Sequence, residues 1–407
     1  MSIAPQSSEW RNGWRVVAAA FIGNGIGFNF FMMSAGLFVI PVQQELGLSR
    51  TAVMISPVAT LIVALLSPLA GGYLDRRGPR LAAIAGFACL TLSYLLLALL
   101  PLTPASYYAV AVLFIIAGTV TGTMAFCKGV SLLFTRSAGI AFGVTQSGVS
   151  LVSATLIPVL GLIIATHGWR AGYGFCAILV GAIGIPILLA AFKPPVKARS
   201  SAAHVEDESS RQDARTALRS PQFWVLVASI SCGTFCIGGF LSHFYPMLIA
   251  GDIAPTTAAT ILSVYAVSIG GGRIIVGFLL DRLSPTIVAA TCMALTSAGA
   301  VLLYLILLGQ LPHPYAFLAA FLLGWGQGAE GDFTAFFTLR RFGQRAFATI
   351  FSWMNVFASG FLAIGGLAFA YSYDRVQSYL PAIIATIILW LAGAILMMFL
   401  RVPRTTA

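Results

Sequence analysis

The fold is decided by the stretch GGYLDRRG at residues 71–78, which lies between two long apolar segments. It recurs in the second half of the chain as GFLLDRLS at residues 277–284, which places Asp75 and Asp281 206 positions apart. Two further matches have an offset of 205, namely Pro41 with Pro246 and Ala141-Phe142 with Ala346-Phe347. Three matches at nearly one offset indicate that the chain contains an internal repeat.

Twelve apolar windows surround and separate these stretches. A helix needs about 20 apolar residues to cross the hydrocarbon core of a bilayer. The windows cover roughly 16–40, 52–74, 81–101, 107–134, 138–165, 171–192, 223–250, 258–280, 286–311, 314–338, 346–370 and 379–400. They are apolar on nearly all sides, which is typical of membrane helices. The sequence therefore predicts an all-α membrane protein with 12 transmembrane helices in two pseudo-symmetric six-helix bundles.

Composition supports the membrane assignment and excludes other classes of protein. Of the 407 residues, 59% are hydrophobic and 9% are charged, whereas a soluble domain is about 45–50% apolar and about 25% charged. A nucleic-acid-binding domain would cluster Lys and Arg on a polar background, so we expect no nucleic-acid partner. No nucleophile–base pair, metal-ligand cluster or nucleotide-binding loop is recognisable, so we expect no enzyme activity, no cofactor and no metal.

One long polar segment divides the twelve windows six and six. It covers residues 193–220 and contains Pro194-Pro195 and two pairs of serines, a composition typical of linkers. We predict an N-terminal six-helix bundle over residues 1–192, a cytoplasmic linker over 193–220 and a C-terminal six-helix bundle over 221–407. The first window is predicted to be a retained helix, because it carries no small-residue cleavage site of the kind that ends a signal peptide.

The basic residues predict the orientation in the membrane. If both termini face the cytoplasm, 18 of the 23 Lys and Arg residues lie inside, three lie in outer loops and two lie within windows. This distribution follows the positive-inside rule and also accounts for the net charge of +11. Short loops and the absence of an appended domain favour a bacterial inner (plasma) membrane. We therefore expect a multi-pass protein in the lipid bilayer with both termini cytoplasmic.

The repeated motif resembles a known signature. The pattern Gly71-x3-Asp75-Arg76-x-Gly78-x-Arg80 resembles the loop between the second and third helices of the major facilitator superfamily. Shorter motifs resemble the monocarboxylate and oxalate/formate carrier branch of that superfamily: NGWRVV at residues 12–17, GAEGD at 328–332 and RFG at 341–343. The repeat, the linker and the twelve windows extend the superfamily resemblance over the whole chain.

The resemblance implies a secondary transporter that acts as a monomer by alternating access, with its substrate site between the halves near the bilayer midplane. For this branch, the implied substrate is a small organic anion, in particular a monocarboxylate. Two departures leave the coupling open. Monocarboxylate carriers also have a first-helix lysine and an eighth-helix aspartate where this chain has Met32 and Ile269, and residues 346–370 lack the lysine of oxalate-type carriers. Proton symport, uniport and anion exchange (antiport) all fit.

The two copies of the motif are predicted to act as gates. A carboxylate and arginines at a helix end can pair across an interface in one conformation and separate in another, and glycines let helices approach closely. Arg136 and Arg341 are the candidate partners of the two aspartates. The alternative is a surface turn with solvated charges. The predicted gating residues are Gly71, Asp75, Arg76, Gly78, Arg80, Arg136, Gly277, Asp281, Arg282 and Arg341.

Four charged side chains fall within apolar windows, where an ion costs several kcal/mol unless it is paired or hydrated. Arg273 follows three glycines, its guanidinium suits a carboxylate, and the resemblance implies a substrate-binding arginine at this place in the eighth helix. Lys128 is a second candidate for binding the anion, or it reaches the inner surface. Glu330 and Asp332 are candidates for proton coupling or for pairing with a basic residue. Both cannot face one cavity, because they stand about 200° apart on a helix.

Uncharged polar side chains complete the candidate substrate site. Each can bind either a ligand or a neighbouring helix; they are Asn24, Asn29, Gln146, His243 and Asn355. An alternative function is an exporter of drug-like or amphipathic compounds. The fifth window lacks the Gly-Pro-x-x-Gly-Gly run common in drug–proton antiporters, and a purely hydrophobic pocket would have no use for Arg273. The leading interpretation is therefore an organic-anion carrier.

Overall fold

The structure is a computed structural model that describes residues 6–47, 55–101, 103–195 and 212–400. Regular structure within these ranges is helical, without a β-strand, which confirms the predicted all-α class. Several basic residues used to predict the orientation lie outside the described residues: Arg50, Lys197, Arg199, Arg211, Arg401 and Arg404.

Helices fill the first half of the chain. They are α1 (Gln6–Ile26), α2 (Phe28–Ser34), α3 (Gly36–Leu46), α4 (Ile55–Arg77), α5 (Pro79–Leu99), α6 (Pro104–Thr121), α7 (Thr123–Ser131), α8 (Ala138–Ile178) and α9 (Ile185–Ala191). A π-helical stretch, Leu179–Gly184, joins α8 to α9.

The second half of the chain contains longer, less interrupted helices. They are α10 (Pro221–Ala250), α11 (Pro255–Arg282), α12 (Pro285–Leu307), α13 (Tyr315–Phe342), α14 (Phe347–Val376) and α15 (Leu380–Met398). Proline opens three of them because the first N–H groups of a helix have no partner within it.

Each predicted window coincides with helical structure. Most ends agree to within a few residues, but α1 begins ten residues before the first window, at Gln6, and α14 ends six residues after the eleventh, at Val376. Within the described part of the chain, nine helical stretches are long and apolar enough to cross a membrane, and the longest, Ala138–Ala191, covers two predicted windows. Helices α4 and α13 fill the two windows that remain. The twelve predicted transmembrane helices are thus accounted for, and the protein is an integral, multi-pass membrane protein.

Two predicted windows contain breaks that the sequence did not indicate. The first window, predicted as one helix, is divided at Gly27, where ψ is −146°, and again at Ala35. The fourth window is divided at Gly122, where ψ is 170°. The fifth and sixth windows, in contrast, run together through Gly168, whose φ of 83° bends the helix there. Interrupted membrane helices are typical of transporter binding regions.

The chain divides into two compact units. Unit 1 consists of Met1–Asp213 together with Gln344–Trp353, and unit 2 consists of Ala214–Gly343 together with Met354–Ala407. The first residues of α14 therefore pack within unit 1, although they follow most of unit 2 in sequence. Residues 196–211 of the predicted linker lie outside the described residues, and residues 212–219 are helical.

Close helix packing in unit 2 positions the charged residues of α11 and α13. A Cβ atom at Gly324 or Gly328 would overlap the main-chain carbonyl oxygen of Tyr265 or Ile269, and one at Gly272 would lie 2.6 Å from the Trp325 carbonyl oxygen. Small residues permit this backbone approach in membrane helices. The two helices are therefore in near contact along the segments that carry Arg273 and Asp332.

Candidate functional site

Unit 1 contains a buried ion pair at the end that carries the repeated motif. The Lys128 ammonium lies 2.7 Å from Asp75 Oδ1, and the two side chains are 4% and 1% exposed. Asp75 stands in the last turn of α4, and Lys128 stands in the last turn of α7. Lys128 was predicted as an anion-binding residue; in this structure its charge is balanced by Asp75.

The Asp75 carboxylate also caps the start of α14. Its Oδ1 accepts a hydrogen bond from the Ala348 N–H at 3.0 Å, and its Oδ2 accepts from the Thr349 N–H and hydroxyl, each at 2.8 Å. The positive end of a helix dipole favours a carboxylate at this place. Gly71, one turn earlier in α4, makes room for the contact, because a Cβ there would lie 2.6 Å from the Ala348 carbonyl oxygen.

Gln344 fastens the same segment to α7. Its carbonyl oxygen accepts a hydrogen bond from the Lys128 ammonium, and its Nε2 donates to the Ser131 carbonyl oxygen at 2.6 Å. We call Asp75, Lys128, Gln344 and Thr349 the latch. Sequence analysis identified the two charged members but missed Gln344 and Thr349. These two are uncharged and stand outside the repeated motif, so nothing in the sequence marks them.

The remaining residues of the first motif shape the turn beside the latch. Gly78 has a φ of 81°, a left-handed conformation that glycine adopts without strain, and α5 begins directly after it. Arg80 Nη2 donates to the Leu189 carbonyl oxygen at 2.9 Å near the end of α9. Arg76 is exposed and Arg136 is half-buried.

A second carboxylate holds the loop that follows α7. Glu9 Oε1 accepts from the Thr135 N–H and hydroxyl and from the Arg136 N–H, and Oε2 accepts from the Ser137 N–H at 3.1 Å. The Trp10 ring packs edge-on against Phe134, with centroids 5.0 Å apart. The start of α1 therefore secures the beginning of α8 as Asp75 secures that of α14.

The second copy of the motif lies in unit 2 at the end of α11. Gly277 is buried, Asp281 is half-buried, and the guanidinium of Arg282 stacks 4.1 Å from the ring centroid of Phe278. Arg341 lies in the last turn of α13 and near the Phe342 ring. The pairing of Asp281 with Arg341 stays a prediction.

Unit 2 brings Arg273 and Asp332 together across α11 and α13. Asp332 is fully buried, Arg273 is half-buried, and the two side chains interact electrostatically. The two backbones approach closely at Gly328, one turn before Asp332, and this brings the helices near enough for the interaction. Of the two acids of α13, Asp332 is therefore the one that interacts with Arg273.

Glu330, two residues away, has a different environment. It is 3% exposed, and its Oε1 has no hydrogen-bond partner among the described residues. The carboxyl lies directly over Gly233 of α10, where a Cβ atom would overlap it. The thiols of Cys232 and Cys236 are the titratable groups that interact with it. Glu330 and Asp332 thus have different surroundings, as their directions on the helix predict: Asp332 interacts with Arg273, and Glu330 lies against the backbone of α10 at Gly233.

Two of the uncharged candidates form one polar cluster in unit 1. Asn24 is fully buried, and its Oδ1 accepts from Asn29 Nδ2 at 2.8 Å and from the Thr123 hydroxyl at 3.1 Å. Its Nδ2 donates to the Thr145 carbonyl oxygen at 3.2 Å. Asn24 precedes the break at Gly27, and Thr123 follows the break at Gly122, so the cluster spans two interrupted helices.

The other uncharged candidates lie apart from one another. Gln146 is buried in α8. His243 in α10 shares a 3.1 Å hydrogen bond with the Gly366 carbonyl oxygen and stacks on Phe369, so packing accounts for its position. Asn355 is half-buried in the part of α14 that belongs to unit 2. Sequence analysis missed Tyr265, whose hydroxyl donates to Gln327 Oε1 two turns before Arg273.

No group of three or more His, Cys, Asp or Glu residues with metal-binding geometry is present in the part of the chain that the structure describes.

Comparisons with known proteins concern the family and the fold. The model of the Major Facilitator Superfamily matches residues 125–362, more than half of the chain. An oxalate:formate antiporter from Oxalobacter formigenes is 26% identical over 211 residues, which are 50% of this chain and 48% of the antiporter. The match thus spans about half the length of that relative.

Solved structures show the same fold. The human organic anion transporter MFSD10 (TETRAN) superimposes with a TM-score of 0.73 at 14% identity, over 95% of this chain and 99% of that chain. The fucose:proton symporter FucP of E. coli superimposes with a TM-score of 0.69 at 14% identity, over 96% of this chain and 100% of that chain. At such identities the likeness concerns the fold alone.

Proposed function

The chain belongs to the Major Facilitator Superfamily of transporters, and we propose that it moves a small organic anion, in particular a monocarboxylate, across the membrane by alternating access. The observation that carries this proposal is the Arg273–Asp332 pair of unit 2. A guanidinium is permanently charged and binds carboxylates with two parallel hydrogen bonds. A substrate carboxylate can therefore take the place that Asp332 holds at Arg273.

An anion-binding role explains why a permanent cation is kept in a membrane helix. An arginine within a bilayer is costly and marks a functional site unless its role is purely structural. An exporter of hydrophobic compounds would have no use for Arg273. An anion carrier needs a positive site, and the charge of that site must stay balanced after the anion leaves. Asp332 supplies that compensation, because it restores the pair in the absence of substrate.

Glu330 is the proposed proton-coupling residue. Its carboxyl is buried against the backbone of α10 at Gly233, and no basic side chain among the described residues interacts with it. A carboxylate in such a place costs several kcal/mol, so the group is suited to carry a proton during part of the cycle. The proposed coupling is therefore proton symport, and anion exchange is the alternative if Glu330 does not titrate.

The latch is the proposed gate of unit 1. Asp75 and Lys128 hold the segment at the start of α14, and its release would break the five hydrogen bonds that link it to Asp75, Lys128 and Ser131. The Asp75–Lys128 ion pair lies outside the released segment. We assign gating to both copies of the motif, with Asp281, Arg282 and Arg341 in the second. The motif end faces the cytoplasm of a bacterial inner membrane in this proposal, which follows from the distribution of basic residues.

The relative found by sequence supports the substrate class. It is an oxalate:formate antiporter, and oxalate and formate are small organic anions. The match covers half of this chain at 26% identity, so the transfer of the substrate class to this chain is a proposal.

Reconstitution in liposomes tests the proposed function. Uptake of labelled acetate, lactate, pyruvate, oxalate and an aromatic acid would be measured with and without a pH gradient, for the wild type, Arg273→Lys and Arg273→Ala. The proposal expects uptake of at least one acid, lost in both variants. Arg375→Ala is the matched control, because Arg375 is an exposed arginine in the last turn of α14, outside both copies of the motif and outside the predicted site. Absence of uptake of every acid, or normal uptake by the variants, would refute the organic-anion assignment.

A further inference from the structure

The Glu330 carboxyl occupies a slot in the surface of α10. The slot exists because residue 233 is glycine. A Cβ atom at that position would overlap both carboxyl oxygens and Cδ of Glu330. Glu330 is 3% exposed and Gly233 is buried. The contact is between a side chain of α13 and the bare backbone of α10, so no other residue type at position 233 admits the carboxyl where it now lies.

Among the residues that the structure describes, no charged side chain interacts with the Glu330 carboxyl. On α10 the neighbours are the thiols of Cys232 and Cys236, and Cys236 in turn donates towards the Cys232 and Thr386 carbonyl oxygens. Across α13 and α11, Asp332 and Arg273 interact with each other. Oε1 of Glu330 has no hydrogen-bond partner among the described residues.

From this geometry we infer that Gly233 is a positioning residue for proton coupling. It holds the Glu330 carboxyl against α10, away from the Arg273–Asp332 pair, so that Glu330 exchanges a proton instead of pairing with the arginine. This inference rests on the proposed role of Glu330 and adds the residue that makes the role possible. A methyl group at position 233 displaces the carboxyl from its slot and uncouples anion movement from the proton gradient.

A double-mutant cycle tests the inference, because Gly233→Ala and Glu330→Ala should compensate sterically. The methyl group added at position 233 fills the space that the Glu330 carboxyl leaves. Gly233→Ala, Glu330→Ala and Glu330→Gln should each lose the stimulation of uptake by an inside-alkaline gradient, by about tenfold or more, a loss of transition-state stabilisation above 1.4 kcal/mol. The Gly233→Ala/Glu330→Ala variant should behave as Glu330→Ala does, because the added methyl group has no carboxyl left to displace.

The matched control is Gly239→Ala in the same helix. A Cβ atom there would overlap the Phe369 ring, so it causes comparable crowding, but it stands nearly two turns after Gly233 and meets Phe369 instead of Glu330. It should lower stability and leave gradient stimulation intact. If Gly233→Ala does not fold, the double variant must still fold and show counterflow.

The outcomes separate the inference from the proposal beneath it. Gradient-stimulated uptake by Glu330→Gln would refute Glu330 as the proton site. Loss of stimulation in Glu330→Gln, together with normal stimulation in Gly233→Ala, would overturn the role of Gly233 alone. A double variant that fails to fold, or whose defects add, would also overturn it.

Discussion

Asp75 and Lys128 form a buried ion pair of 2.7 Å, and the carboxylate of the same pair caps the first turn of α14. One acid therefore neutralises a buried lysine and holds a helix terminus. Departure of α14 removes three hydrogen bonds from Asp75 and the Gln344 carbonyl from Lys128. The energies of the ion pair and of the helix cap are thus linked in the proposed gate.

Removal of one partner of the latch should be more harmful than removal of both. Asp75→Asn leaves Lys128 buried without a counter-charge, which costs about 3–5 kcal/mol, whereas Asp75→Asn/Lys128→Met leaves no unpaired charge. We expect the single variant to unfold at lower temperature and to transport more slowly than the double variant. Thermal unfolding in detergent and uptake in liposomes measure the two effects.

An exposed ion pair of unit 1 provides the control for the latch. Arg170 Nη1 lies 2.9 Å from Glu45 Oε2, and the side chains are 41% and 31% exposed. Because exposed pairs contribute about 0–1 kcal/mol, Glu45→Gln should have little effect. The assignment of the latch fails if Asp75→Asn is no more harmful than Glu45→Gln.

Glu9 should stabilise unit 1 through the loop before α8. Glu9→Ala removes the acceptor for three N–H groups and one hydroxyl, so we expect a loss of about 0.5–2 kcal/mol, the usual effect of deleting a helix cap. Arg11→Gln, an exposed change in the same helix, should be neutral. Chemical or thermal unfolding checks both, and equal stability of the two variants would show that the four hydrogen bonds contribute nothing.

The repeat made part of this arrangement predictable from sequence. GGYLDRRG and its second copy identified Gly71, Asp75 and Arg76, because a motif that occurs twice at one offset stands out from apolar sequence. The partners of Asp75 were not predictable. They depend on the break at Gly122, which sets the direction of α7, and on the packing of Gln344–Trp353 with unit 1.

The two acids of α13 were also only partly predictable from the sequence. Helical periodicity separated Glu330 from Asp332 by direction, but it did not say which acid faces Arg273. That choice depends on the close approach of α11 and α13 at Gly328, a contact between residues far apart in sequence. Similarly, the break at Gly27 left no distinct signal, because glycines are common within membrane helices.

Because α11 and α13 pack closely, replacement of their glycines by alanine should change the free energy of unfolding by different amounts at different positions. Gly328→Ala forces a methyl group into the Ile269 carbonyl oxygen and should cost about 1–3 kcal/mol, the usual penalty of overpacking. A Cβ atom at Gly271 meets nothing within 4 Å, so Gly271→Ala should be neutral or stabilise by up to about 1 kcal/mol. Thermal unfolding of the two variants measures the difference, and equal midpoints would contradict the backbone contact.

Asp332 should compete with substrate for Arg273. Asp332→Asn removes the negative charge that answers the guanidinium, so an anion should bind more tightly and leave more slowly. We expect a lower KM together with a lower kcat for uptake, and Asp332→Glu should keep values nearer to the wild type. A KM that rises in Asp332→Asn would show that Asp332 orients Arg273 instead of competing with the substrate.

The most direct test of the central claim compares an acid with its own amide. Once a transported acid is known, its neutral amide and methyl ester would be used as competitors of uptake by wild type and by Arg273→Gln. The account predicts that the acid inhibits uptake by the wild type at concentrations at least about tenfold lower than either neutral analogue, a difference of about 1.4 kcal/mol in binding free energy. This preference should disappear in Arg273→Gln. Equal competition by acid and amide in the wild type would contradict an anion site at Arg273.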